Sequence, residues 1–63
     1  MNSLYDVQQL LKKFGTIIYT GDRFADLEMM EDEIRELYKN QLISNDLYLK
    51  AITIIRHNKN QIN

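Results

Sequence analysis

Cysteine is absent from this chain, which excludes disulfides and thiolate metal sites together as sources of stability. There is one histidine, His57, and there are only two serines, Ser3 and Ser44. A nucleophile, a base and an orienting partner cannot be assembled from that set, so no enzyme and no catalytic residue are expected. No apolar run approaches the roughly 20 residues that span a bilayer. The first fifteen residues carry Asp6, Lys12 and Lys13 in a polar, periodic pattern unlike a signal peptide. A cytosolic protein with no membrane contact is the expectation. A large net charge is missing too: the total is −1, so no global field draws the chain to nucleic acid or anionic lipid.

What is present is helical periodicity on a short chain. Sixty-three residues suffice for one domain spanning 1–63 and are too few for two. A chain this short buries only about 60% of its unfolded surface, so it must rely on good helix packing, self-association, or both. Phe24, Leu27, Met30, Ile34, Leu37 and Tyr38 fall in one arc roughly 140° wide, the pattern of an amphipathic helix over 22–39. A stripe that broad accepts a neighbour on each flank. Ser3 caps a first helix near 4–14, built on Leu4, Val7, Leu10, Leu11 and Phe14, with Lys12 and Lys13 in its last turn and Gly15 after it. Ser44 or Asn45 caps a third helix near 45–57, whose apolar residues Leu47, Tyr48, Ala51, Ile52, Ile54 and Ile55 cover about 160°. From Asn58 the chain is polar and aperiodic, and its last residues are expected to fray.

Between the first two helices lies Gly15-Thr16-Ile17-Ile18-Tyr19-Thr20-Gly21, a β-branched segment bracketed by the chain's two glycines. No second strand pattern exists, so a short irregular connection that tucks Ile17 or Ile18 under the helices is expected. An edge that pairs with another chain is the alternative. Asp22, or Thr20, caps the central helix, and Asn40 is expected to take the left-handed conformation that ends it. The fold class is therefore all-α, a small three-helix bundle.

Charge is unevenly spread. Residues 26–36 hold six acids and one base, between two mildly basic ends. Glu28, Asp32 and Glu36 recur every four residues along one side of the central helix. A solvated face explains them better than a metal site, which one straight helix would ligate poorly, so no metal and no cofactor are expected. Glu31 with Arg35 and Glu36 with Lys39 read as surface pairs. Lys12, Lys13, Tyr19 and Arg23 supply the cations and the aromatic face that single-stranded nucleic acid needs. They are expected to share one end of the bundle. Met29, Leu49 and Ile52, at the edges of the apolar arcs, are the candidates for contact with a protein partner or a second copy. A bundle this small offers little concave volume, so no small-molecule substrate is expected.

The run Leu4-Tyr5-Asp6-Val7-Gln8-Gln9-Leu10-Leu11, then Gly15-Thr16, Ile18-Tyr19-Thr20-Gly21-Asp22-Arg23 and Glu33-Ile34-Arg35-Glu36-Leu37-Tyr38, resembles the YqgQ-like family. Its members are small cytosolic proteins of low-GC Gram-positive bacteria and of unknown function. The likeness spans nearly the whole chain, and Ile18 to Arg23 is its most specific part. It implies a compact three-helix bundle and an association with single-stranded nucleic acid. The hairpin Glu36 to Ile55 also resembles short helix–turn–helix modules found at the ends of unrelated bacterial proteins.

Overall fold

A computed structural model describes residues 1–62 and consists of three helices: α1 (Leu4–Lys13), α2 (Arg23–Lys39) and α3 (Asn45–Asn60). No strand occurs among the described residues. The molecule measures 33 × 20 × 17 Å, with α2 packed more extensively on α3 than on α1. Its core joins Val7 and Leu11 of α1, Leu27, Met30, Ile34 and Leu37 of α2, Ile43, and Ala51, Ile52 and Ile55 of α3. Ile34 is fully buried, and α2 packs chiefly on α3, while α1 lies against both in smaller contacts.

The helix ends follow from local chemistry. The Asp6 carboxylate reaches back to accept from the backbone N–H groups of Asn2 and Ser3 at 2.8 and 3.2 Å, fixing the start of α1. Those two donors hold its carboxyl below the usual range. At the other end Gly15 takes φ +82°, Gly15 N–H donates to Lys12 O and Thr16 N–H donates to Leu11 O, a complete Schellman turn. Asp22 caps α2 by accepting from Phe24 and Ala25 N–H, and Ser44 caps α3 by accepting from Leu47 N–H.

Four expectations are corrected. The left-handed residue after α2 is Gln41, at φ +61°, while Asn40 stays at φ −87°. Gln41 N–H donates to Tyr38 O and Leu42 N–H to Leu37 O, so the reversal falls one residue later than the side-chain preference of asparagine suggests. Second, α3 runs to Asn60, three residues past the expected end at 57. Asn58 donates to Ile54 O, and Lys59 is gripped by acids of α2, so polar contacts replace apolar ones there. Of the end expected to fray, Asn63 lies outside the described residues. Third, Ile52 is buried in the core and is not available as an interface residue. Fourth, Phe14, Phe24 and Tyr38, counted among the apolar arcs, stay partly exposed. Tyr38 stacks on Tyr48 with ring centroids 4.2 Å apart, and its hydroxyl donates to Asn45.

Candidate nucleic-acid interface

The chain leaves α1 through the Gly15 turn and runs back along the helix it has just left. Ile17 and Ile18 line a groove of about 190 Å³ with Gln8, Gln9, Leu11, Lys12, Thr16 and Met30. Two residues on, Tyr19 lines a second groove with Leu4, Gln8, Arg23, Asp26 and Met30. The path from Leu11 back to Leu4 is about 10 Å at 1.5 Å per helical residue, and only an extended segment covers it in so few residues. Exposure alternates to match: Ile17 and Tyr19 are 79% and 85% exposed, whereas Ile18 packs against the core.

The segment is pinned at both ends. Thr16 N–H is held by Leu11 O. Asp26 accepts from both the N–H and the hydroxyl of Thr20, at 2.8 and 2.6 Å, and Asp22 N–H donates to the same hydroxyl. Gly21, at φ +88°, makes the turn into Asp22. Between those anchors, Ile17, Ile18 and Tyr19 make no backbone hydrogen bond among the described residues.

This course separates the sequence-derived candidates. Tyr19 and Arg23 meet beside the N-terminal half of α1, and Lys12 stands at the far end of the adjoining groove. The two grooves share Gln8 and Met30, so they form one trough along the loop. Lys13 is exposed but lines neither groove. The lysines and Arg23 therefore do not share one end of the bundle. The back-running loop sets them apart by its own length, because α2 starts beside the start of α1 rather than beside its end.

Arg23 is not a free cation. Its guanidinium donates to Asn58 of α3 at 3.1 Å. Beside it Lys59 lies 5.3 Å from the Phe24 ring centroid and bonds Glu28 at 3.0 Å and Glu31 at 3.2 Å. The Glu28 carboxylate, then that of Glu31, raises the Lys59 ammonium above its usual range against the opposing effect of desolvation. Glu31 is only 6% exposed and also pairs with Arg35, with Arg56 at 3.8 Å. Of the expected surface pair, Glu31 is thus buried at the centre of a charge cluster whose cations stay partly exposed. Glu36 and Lys39 form no ion pair among the described residues.

Sequence reasoning missed Asn58 and Lys59 as partners, although the signal existed. Asn58 lies four residues after Ile54 and Lys59 four after Ile55, on the face that already meets α2. Met29 is half-exposed on α2, and Leu49 is 54% exposed on α3 in a shallow groove with Met1, Asp46, Lys50, Thr53 and Ile54. The fold does not bring Met29 into that groove.

Comparison with known proteins gives a consistent picture. The profile of the family described as YqgQ-like matches residues 1–61. The chain is 50% identical over 56 residues to "Uncharacterized protein YqgQ" of Bacillus subtilis (strain 168), an alignment covering 89% of this chain and 79% of that protein.

Proposed function

The chain belongs to the YqgQ-like family, and we propose that it is a non-enzymatic binding module that takes single-stranded nucleic acid along the Lys12–Arg23 trough. The observation that carries this reading is Tyr19, whose ring is 85% exposed beside a groove rather than packed on α1. A large aromatic left in solvent loses burial free energy unless something else covers it, and a base is a flat partner of the right kind. Lys12 and Arg23 stand at the two ends of the trough, with Gln8, Gln9 and Thr16 offering hydrogen bonds between them. The sole histidine, His57, contacts the Gln61 amide, and both serines sit at helix starts, so none is arranged for proton or acyl transfer.

The test is fluorescence anisotropy with labelled single-stranded oligonucleotides. Lys12 and Arg23 together predict a modest salt response, a log–log slope of about −1.4. Tyr19→Ala should weaken binding by roughly 1–3 kcal/mol per stacked base. No binding at low salt, or binding indifferent to Tyr19→Ala and to an R23A/K12A variant, ends this reading. A protein partner is the second reading, favoured by the exposed Leu49 groove. It predicts that capture from lysate survives nuclease and is lost in Leu49→Ser.

A further inference from the structure

The segment 15–21 has an internal symmetry that the monomer does not use. Reading outward from Ile18, Ile17 faces Tyr19, Thr16 faces Thr20, and Gly15 faces Gly21. A strand with that order is nearly self-complementary under a two-fold axis through Ile18, because antiparallel pairing of two copies sets each residue against its counterpart.

The backbone fits the same axis. In an extended segment the N–H and C=O of successive residues point to alternate edges. Thr16 and Thr20 point theirs into their own chain, where Leu11 O and Asp26 accept them. Ile17 and Tyr19 therefore turn theirs to the opposite edge, and they have no partner among the described residues. Side chains obey the same alternation, with Ile18 inward and Ile17 and Tyr19 outward.

We infer that two copies of this chain associate by pairing their Gly15–Gly21 segments as antiparallel strands centred on Ile18. Ile17 of each copy exchanges both backbone bonds with Tyr19 of the other, four hydrogen bonds in all. The outward face then carries two cross-strand isoleucine–tyrosine contacts, a favourable combination of β-branched and aromatic residues. A second copy fits this edge on charge as well. No acidic or basic side chain lies between Lys13 and Asp22, so like charges do not meet across the axis, and a charged peptide would find nothing there to neutralise it. Further growth is opposed because the other edge already has its Thr16 and Thr20 N–H groups bonded to Leu11 O and Asp26 of the same chain, which closes the assembly at two. The pairing does not depend on nucleic-acid binding.

A pair of short strands is a weak contact, so the association belongs at high micromolar to millimolar concentration. Sedimentation of the full chain over that range should show the weight-average mass rising from 7.5 kDa toward twice that value. Ile17→Pro removes one donor per copy, two bonds of the four, and should weaken association roughly tenfold or more. Because Ile17 is exposed, helicity by circular dichroism should be unchanged. The stricter test uses charge: I17K/Y19K and I17E/Y19E variants should each be monomeric, and their equimolar mixture should dimerise. A wild-type chain that stays monomeric at millimolar concentration overturns the inference. So does a dimer undiminished by Ile17→Pro with helicity intact, or a mixture of the charged variants that remains monomeric.

Discussion

Single residues carry the sharpest departures from a simple helical bundle. Glu31 lies inside the apolar arc of α2, four residues after Leu27 and three before Ile34, and is buried with Arg35 and Lys59 bonded to it. Removing a buried acid that holds more than one cation leaves those donors unsatisfied, so Glu31→Ala should cost about 1–3 kcal/mol in a urea melt. Glu36→Ala, at an exposed position, should change stability by less than about 0.5 kcal/mol in the same assay. Gln41 shows the opposite case. A non-glycine residue at φ +61° carries roughly 1 kcal/mol of strain that glycine does not. Gln41→Gly should therefore stabilise by up to about 1 kcal/mol, whereas Asn40→Gly, at negative φ, should gain nothing. If Asn40→Gly proved the stabilising change, the position of the α2 reversal would be wrong.

The charged residues at helix ends also set how stability varies with pH. Asp6 has its carboxyl lowered by the N–H groups of Asn2 and Ser3. Its contribution is full above the ordinary carboxylate range and is lost as pH falls through the lowered value, so it steepens acid unfolding below about pH 4. Lys59 has its ammonium raised, chiefly by Glu28. Its contribution is full below the ordinary lysine range and disappears as pH rises through the raised value, above about pH 10. Thermal melts across pH should show Asp6→Asn flattening the acid limb and Lys59→Met flattening the alkaline limb. An alkaline limb unchanged in Lys59→Met, or an acid limb unchanged in Asp6→Asn, would contradict the assigned contacts.

At the scale of elements, the existence and sense of all three helices are legible from the sequence because their apolar spacing, caps and glycine stop agree with one another. Gly15 and Ser44 each do what local chemistry predicts of them, and at Ser3 it is the Asp6 carboxylate that closes the helix start. The extension of α3 to Asn60 is not legible in hydropathy, since Asn58 and Lys59 hold that turn through Arg23, Glu28 and Glu31, residues some thirty positions away. The expected gathering of the site residues at one end of the bundle failed for a related reason. Lys12, Lys13, Tyr19 and Arg23 are neighbours in sequence, but the direction of a connecting segment is set by what it packs on. Ile18 docking beside Leu11 and Gln8 sends the loop back along α1. Asp26 is the pin of that arrangement, through its two bonds from Thr20. Asp26→Ala should free the loop, exposing 15–21 to limited proteolysis at a markedly higher rate while the helical signal persists. Unchanged cleavage would show that Ile18 alone suffices to hold the segment.

For the whole molecule, the decisive quantity is how little stability a chain of this length has to lose. At roughly 0.05–0.15 kcal/mol per residue, it holds on the order of 3–9 kcal/mol. Ile34 is fully buried in the common core, so truncating it opens a cavity there. Ile34→Ala should cost about 2–5 kcal/mol, a large fraction of that total, and Ile34→Val about 0.5–1.5 kcal/mol. The core is drawn from all three helices, and no pair of them holds all of it. The alanine variant should therefore lose helicity in all three elements in one transition, with urea midpoints that coincide whether followed by circular dichroism or by the environment of the stacked Tyr38–Tyr48 pair. Separate midpoints would mean that α2 and α3 form a stable hairpin by themselves, and that α1 with its extended loop is an appendage able to detach while the rest stays folded.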